Sequence, residues 1–337
     1  RAALPRPPQV LMHPSRPAPE CRPMCLCPRF AVLTMIGALL LAPAAGCGGT
    51  KKKGKKGGLT VAQQLEKAEK ESTPDRQAAA YLKVARRQFT SGDKTGAKES
   101  AKKAFEKVKG DGDAGQFGPR LVEVAGFLAE TGEKKPAREA LKRATDIAGS
   151  IADPVRRASV LAEAGGVYGD KAKGLGDSKA AKDVLTEATK AAEETDERFR
   201  AEALAAVALG YTRSGLADAA SDMVGKLEEA AKGLEEPRAK AEALAAAANV
   251  KAQTGKKDDA TALLAEAAQA AKSVERSESR AYALLAVATA LDANGATKEA
   301  LALLKEADKA ANKVAEPDAM KTIVDKVRAL TLALEKK

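Results

Sequence analysis

The 337-residue chain has no tryptophan, and aromatic residues make up only 3% of it. Its single histidine, His13, and its four cysteines, Cys21, Cys25, Cys27 and Cys47, all lie within the first 47 residues. Beyond Cys47 the sequence therefore offers no Ser-His-Asp triad, no Cys-His pair, no His or Cys zinc ligand and no disulfide. Long apolar runs are missing too. Residues 30–46 are uncharged, but their apolar heart covers only residues 31–42. A membrane-crossing helix needs about 20 apolar residues, so this stretch fits the core of an export signal instead. With few aromatics and 45% hydrophobic residues, Ala and Leu must build the core. Such small side chains suit close helix-on-helix packing.

The formal net charge of +11 is unevenly placed. Five arginines oppose Glu20 in residues 1–47, and Lys51, Lys52, Lys53, Lys55 and Lys56 follow. The rest of the chain carries only +2, with 47 basic residues against 45 acidic ones. A nucleic-acid binder concentrates basic charge on its folded binding face, often beside stacking aromatics. This chain concentrates it in a leader and a linker, so no nucleic-acid partner is expected.

Residues 1–23 are rich in Pro and Arg and begin with Arg1, which makes Met12 and Met24 the candidate initiators. Arg29 precedes the apolar stretch, Pro43 interrupts it, and Ala44, Ala45 and Gly46 lead into Cys47. This segment resembles a bacterial lipoprotein signal. Ala45, Gly46 and Cys47 match the last three places of the lipobox, while Ala44 departs from its usual Leu. The resemblance implies cleavage before Cys47 and a diacylglycerol on its sulfur, an anchor whose two or three acyl chains hold stably. It implies an exported protein of the cell envelope. Gly48, standing where an Asp would signal inner-membrane retention, favours the outer membrane. An ordinary cleaved signal that ends beside a cysteine is the alternative. Residues 47–58, rich in Gly and Lys, read as an extended tether. Its lysines would either meet anionic head groups or simply be solvated.

The remainder, 59–337, is periodic. Glycines recur at Gly92, Gly132, Gly176, Gly215, Gly255 and Gly295, at intervals of 40, 44, 39, 40 and 40 residues. Five residues after each comes an alanine: Ala97, Ala137, Ala181, Ala220, Ala260 and Ala300. Nine after come Ala101, Leu141, Leu185, Val224, Leu264 and Leu304. Twelve after come Ala104, Ala144, Ala188, Leu227, Ala267 and Ala307. Those offsets place all three on one helix face. Seven residues before each glycine stand Ala85, Ala125, Ala208, Ala248 and Ala288, with Gly165 in the third unit once its four extra residues are allowed for. Helical hairpins turning at the glycines are predicted.

The pattern resembles the tetratricopeptide repeat (TPR), over residues 75 to about 314 and six units. The resemblance implies an all-α fold, an α-solenoid of six TPR-like hairpins. Two departures stand out. The period is 40 rather than 34, and the usual Trp of the first helix is replaced by Tyr81, Leu121, Leu161, Leu204, Leu244 and Leu284. Pro154, Pro237 and Pro317 sit where each can begin a helix. Single helices over 59–72, with Val61, Leu65 and Ala68 inward, and over 318–334, with Ile323, Val324, Val327 and Leu330 inward, are expected to cap the array.

TPR arrays bind protein segments along the face formed by the first (A) helix of each hairpin. Carried over, that face comprises Leu82, Arg86 and Phe89, then Glu202, Leu209, Glu242, Asn249, Gln253, Tyr282, Leu285, Thr289 and Asp292. Between them the second and third units offer Gly126, Gly166 and Gly169. A floor of such residues would either admit a partner helix closely or be filled by a tighter coil. Arg157, Arg200, Lys240 and Arg280 recur at one position and are expected to pair with Asp153, Glu197, Glu236 and Glu278. The glycine-rich segment from Gly165 to Gly176 lacks the spacing of a phosphate loop and reads as a bulged turn.

A carboxylate-only glycosidase would need a cleft lined with sugar-stacking rings, which the aromatic poverty disfavours. No enzyme, no cofactor and no metal are expected. The expectation is a membrane-anchored scaffold with a protein partner in its groove; the alternative is an envelope assembly factor that binds glycan or lipid.

Overall fold

The computed structural model describes residues 59–336, so the leader, Cys47 and the tether lie outside the described residues. The described residues form fourteen α-helices and no strand. A single helix α1 (Val61–Glu69) leads into six hairpins: α2 (Pro74–Thr90) with α3 (Lys94–Val108), α4 (Ala114–Glu130) with α5 (Lys134–Ala148), α6 (Pro154–Gly169) with α7 (Ser178–Glu193), α8 (Glu197–Arg213) with α9 (Ala217–Lys232), α10 (Pro237–Gln253) with α11 (Lys257–Ser273), and α12 (Ser277–Ala293) with α13 (Thr297–Ala311). The single helix α14 (Pro317–Leu334) follows. Each helix packs on its chain neighbours, and each A helix packs on the next A helix. This is the α-solenoid the period implies.

The turns follow from the glycines. All six have positive φ, from 69° to 89°, a region that side chains with a Cβ rarely adopt. In five of the six the residue after glycine donates back to a carbonyl five residues earlier. Asp93 N bonds Gln88 O at 2.9 Å, and Ala296 N bonds Leu291 O at 2.9 Å. This Schellman geometry satisfies the last carbonyls of one helix while releasing the chain into the next. The helix starts are equally local. Thr60 and Gln63 form a capping box, Asp93, Asp113 and Asp177 each accept a backbone N–H, and Pro74, Pro154, Pro237 and Pro317 occupy the first turn.

The third turn is bulged, as its extra residues predict. Gly174 N donates to Asp170 O at 3.0 Å, Leu175 N to Val167 O at 3.0 Å, and Asp177 N to Tyr168 O at 2.7 Å. The segment follows a helix and folds back on it, leaving no phosphate cradle. Pro119 interrupts α4 and deprives the Gly115 carbonyl of its helical donor; Arg156 Nη1 approaches that oxygen at 3.5 Å.

The core is the alanine set. Ala97, Ala137, Ala181, Ala220, Ala260 and Ala300 are wholly buried, and so are Ala85, Ala125, Ala208, Ala248 and Ala288. Larger side chains from the facing helix fill the remaining space, among them Leu141, Leu185, Leu264 and Leu304. Gly165 replaces the alanine of the other units because a Cβ there would stand 2.5 Å from Leu185 Cγ. The residues in the Trp position, from Tyr81 to Leu284, are all buried. Two boundaries differ from expectation. Helix α1 ends at Glu69, since residues 70–73 form the tight connection into α2, and α14 begins at Pro317. Ile323, Val324 and Val327 are buried as predicted, and Leu330 is half-buried.

Ala260→Leu inserts three carbons where no space remains. It is expected to lower stability by about 1–3 kcal/mol in urea unfolding. An unchanged midpoint would show that α10 and α11 have room to separate.

Candidate functional site

The A-helix face carries two polar and aromatic clusters separated by a filled stretch. The first joins α2 and α4. Arg120 Nε lies 3.0 Å from Asp75 Oδ1, and its guanidinium also holds Glu123. Glu123 in turn accepts from Arg86 Nη2 at 3.1 Å. The Arg86 guanidinium stands 5.9 Å from the centroid of Phe127, which meets Phe89 edge to face at 5.9 Å and 79°. Arg86 and Phe89 therefore belong to one surface cluster. Leu82 is a core residue at 1% exposure.

The middle of the face is filled. Between α6 and α8 the backbones touch: a Cβ on Gly210 would lie 2.6 Å from the Ala162 carbonyl oxygen, and one on Gly169 would lie 2.4 Å from Ser214 Cβ. Ser214 Oγ reaches the Gly165 carbonyl oxygen at 3.0 Å and that of Gly210 at 2.8 Å, sharing its proton between the helices. Arg213 lies across Gly166, its Cδ 3.5 Å from where a Cβ would stand, and approaches Asp170 at 3.9 Å. Gly126 faces Val167 at ordinary contact distance. At Gly166 and Gly169 the space is occupied by Arg213 and Ser214 at the end of α8. Burial raises the Glu163 carboxyl above its ordinary range, with Arg213 opposing and Glu123 reinforcing the shift.

The second cluster joins α8, α10, α12 and α14. Glu242 is buried, and its Oε1 accepts from Arg238 Nε at 2.9 Å. Burial raises the Glu242 carboxyl; Arg238 opposes the shift, while Glu236 and Glu202 add to it. The Tyr282 ring has the Arg238 guanidinium at 5.4 Å and the Lys326 ammonium also at 5.4 Å from its centroid. Burial likewise raises the Tyr282 phenol. Glu242 and Tyr282 thus share Arg238. Of the other predicted residues, Leu209 and Leu285 pack against the core, and Asn249 Oδ1 accepts from Asn294 Nδ2 at 3.3 Å. Thr289 bonds back to the Leu285 carbonyl at 2.8 Å, Gln253 is exposed, and Asp292 is half-buried.

The recurring cations engage other groups than the acids expected of them in the contacts that follow. Arg157 pairs with Glu194, and Lys240 with Glu266 at 3.4 Å. Arg200 Nη2 donates to Thr195 O at 3.1 Å and Arg280 Nε to Val274 O at 2.5 Å. Part of the reason is capping. The carboxylates of Asp153 and Glu236 accept backbone N–H groups at the starts of α6 and α10. Arg200 and Arg280 meanwhile meet carbonyls at helix ends, where the dipole is negative. Sequence reading missed Glu123, Phe127, Arg238 and Lys326. The Arg238/Glu242 spacing of four was the available signal for one pair.

A separate cleft of about 560 Å³ lies between α5, α6 and α7, lined among others by Leu161, Val184, Asp146 and Asp183. Among the described residues no His, Cys, Asp and Glu cluster suits a metal ion, and no helix is long and apolar enough to cross a membrane.

The α6–α8 joint gives a sign test. Ala is a better helix former than Gly by about 0.5–1 kcal/mol, and Gly225 has open space around its missing Cβ. Gly225→Ala is expected to raise stability by about that amount. Gly210→Ala is expected to lower it by about 1–3 kcal/mol, because its Cβ would meet backbone. Thermal unfolding of the pair checks both; equal shifts would refute the close contact.

No protein-family model matches the chain, and no curated protein matches it. Among solved structures, it is similar to a tetratricopeptide repeat protein from Parabacteroides merdae at 13% identity, covering 80% of this chain and 91% of that one, with a TM-score of 0.36. It is similar to BtubC from P. vanneervenii at 16% identity, covering 62% and 87%, with a TM-score of 0.40. A Rap protein complexed with competence and sporulation factor matches at 15% identity over 81% and 80%, with a TM-score of 0.36.

Proposed function

We propose that the chain is a lipid-anchored scaffold of a bacterial cell envelope that holds a protein partner along its A-helix face. The observation that carries the binding role is the asymmetry between the helices. In the B helices the repeated positions are buried Ala, Leu and Val, whereas the A helices add a second face bearing Arg86, Phe89, Glu202 and Tyr282. Charged and aromatic groups carried on the first, fourth and sixth hairpins suit recognition of a peptide or helix. A binding role also fits the residue inventory, since neither His nor Cys follows Cys47. The anchor rests on the signal ending in Ala45, Gly46 and Cys47, and the lysine-rich residues 51–56 provide reach from the membrane.

Two measurements test the two halves. Cells given a fatty-acid probe are expected to label the protein and to leave Cys47→Ala unlabelled; equal label would end the lipoprotein reading. Crosslinking in intact cells, followed by pulldown, is expected to capture a protein whose yield falls when Arg86, Glu202 and Asp292 are charge-reversed. If every captured protein were unaffected, the A-helix face would not be the docking surface. Retention on isolated cell wall with no protein captured would instead favour a glycan-binding assembly factor.

A further inference from the structure

The second cluster on the A-helix face contains a group that its own surroundings leave unsatisfied. Glu242 stands in a helix whose neighbouring residues are apolar: Ala241, Ala243, Leu244 and the four alanines that follow. Its side chain is only 9% exposed. Arg238 engages Oε1, but Oε2 is fully enclosed and accepts no hydrogen bond. A buried carboxylate with an unpaired oxygen is destabilising, and an apolar side chain of similar size would fit this alanine-rich helix better. The groups acting on it are mostly of its own sign: Glu202 from α8 and Glu236 from the start of α10, with Arg238 the opposing charge.

Tyr282 completes the arrangement. Its ring draws two cations to 5.4 Å, Arg238 from α10 and Lys326 from α14, which is the geometry of a cation held over an aromatic face. Buried carboxylate and ring thus both engage one guanidinium, and that guanidinium leaves an acceptor oxygen of Glu242 unused. We propose that this cluster is a subsite for a lysine or arginine side chain of the docked partner, with Arg238 as its occupant in the free protein. The incoming cation displaces Arg238, bonds Glu242, and lies over Tyr282. This rests on the reading of the A-helix face as a docking surface and specifies the partner: a segment whose cation meets α10 and α12.

The test uses the full chain in non-ionic detergent and a fluorescein-labelled 15-residue peptide of alternating Lys and Ala, with a Glu/Ala peptide as its counterpart. Anisotropy is expected to show binding of the basic peptide only. Glu242→Gln is expected to weaken it at least tenfold, and Arg238→Gln, which vacates the subsite, to tighten it severalfold. Glu299→Gln, on the exposed surface of α13, is expected to leave affinity unchanged. Glu242→Leu guards against a trivial loss of fold: its melting temperature is expected to rise while binding disappears. Failure of the native chain to bind the basic peptide, or native affinity in Glu242→Gln and Glu242→Leu, would overturn the proposal. Either result alongside a pulldown that still responds to Arg86 and Asp292 would leave the docking face standing and remove this subsite alone. A purely structural Arg238–Glu242 pair would instead lower the melting temperature in both single variants without moving the peptide affinity in opposite directions.

Discussion

Close approach of helix backbones is the constraint on which the rest of this structure depends. The apolar content is carried by small side chains, so burial per residue is modest, at roughly 25 cal/mol for each Å² removed from water. Stability must come from many tight contacts, each of which requires alanine or glycine at the crossing. That is why the positions before and after every turn are wholly buried alanines. It is also why the one exception, Gly165, faces the leucine of the same unit. The glycine turns serve the same end. A Schellman turn with one left-handed residue returns the chain within three or four residues, too short for the hairpin to splay.

Much of this was legible in the sequence because a repeat states each rule six times. Turn glycines, inward alanines and helix-starting prolines recur at fixed offsets, so local geometry could be read by comparison among units. The four extra residues of the third unit were equally readable as a bulge. The cations that follow each A-helix start were not. Two of their expected partners, Asp153 and Glu236, serve as caps, and a cap is a contest between a backbone N–H and a cationic side chain that spacing alone does not decide. The end of α1 was overrun because no glycine marks it.

The A-helix face was legible only as a set of positions. Which of them would gather depended on inter-repeat contacts invisible to a single-unit register. Arg86 and Phe89 cluster because Glu123 and Phe127 arrive from the next hairpin, and Tyr282 is flanked because α10 and α14 each supply a cation. The central glycines gave a signal that pointed in two directions. Absence of a side chain permits close approach but does not say by whom, and here the neighbour is α8 of the same chain. The aliphatic stem of Arg213 then covers what remains, an instance of a long cationic side chain packing by its methylenes.

That backbone contact between α6 and α8 bears on how the protein would carry load. Helices in the array touch only their near neighbours, so a pull between the two ends passes through every interface in series and the softest yields first. At α6–α8, Gly210 rests on the Ala162 carbonyl and the Ser214 hydroxyl bridges to Gly165, so backbone is held directly against backbone. Extension would therefore begin on either side of this joint, with the third and fourth hairpins moving as one stiff link in a more compliant chain.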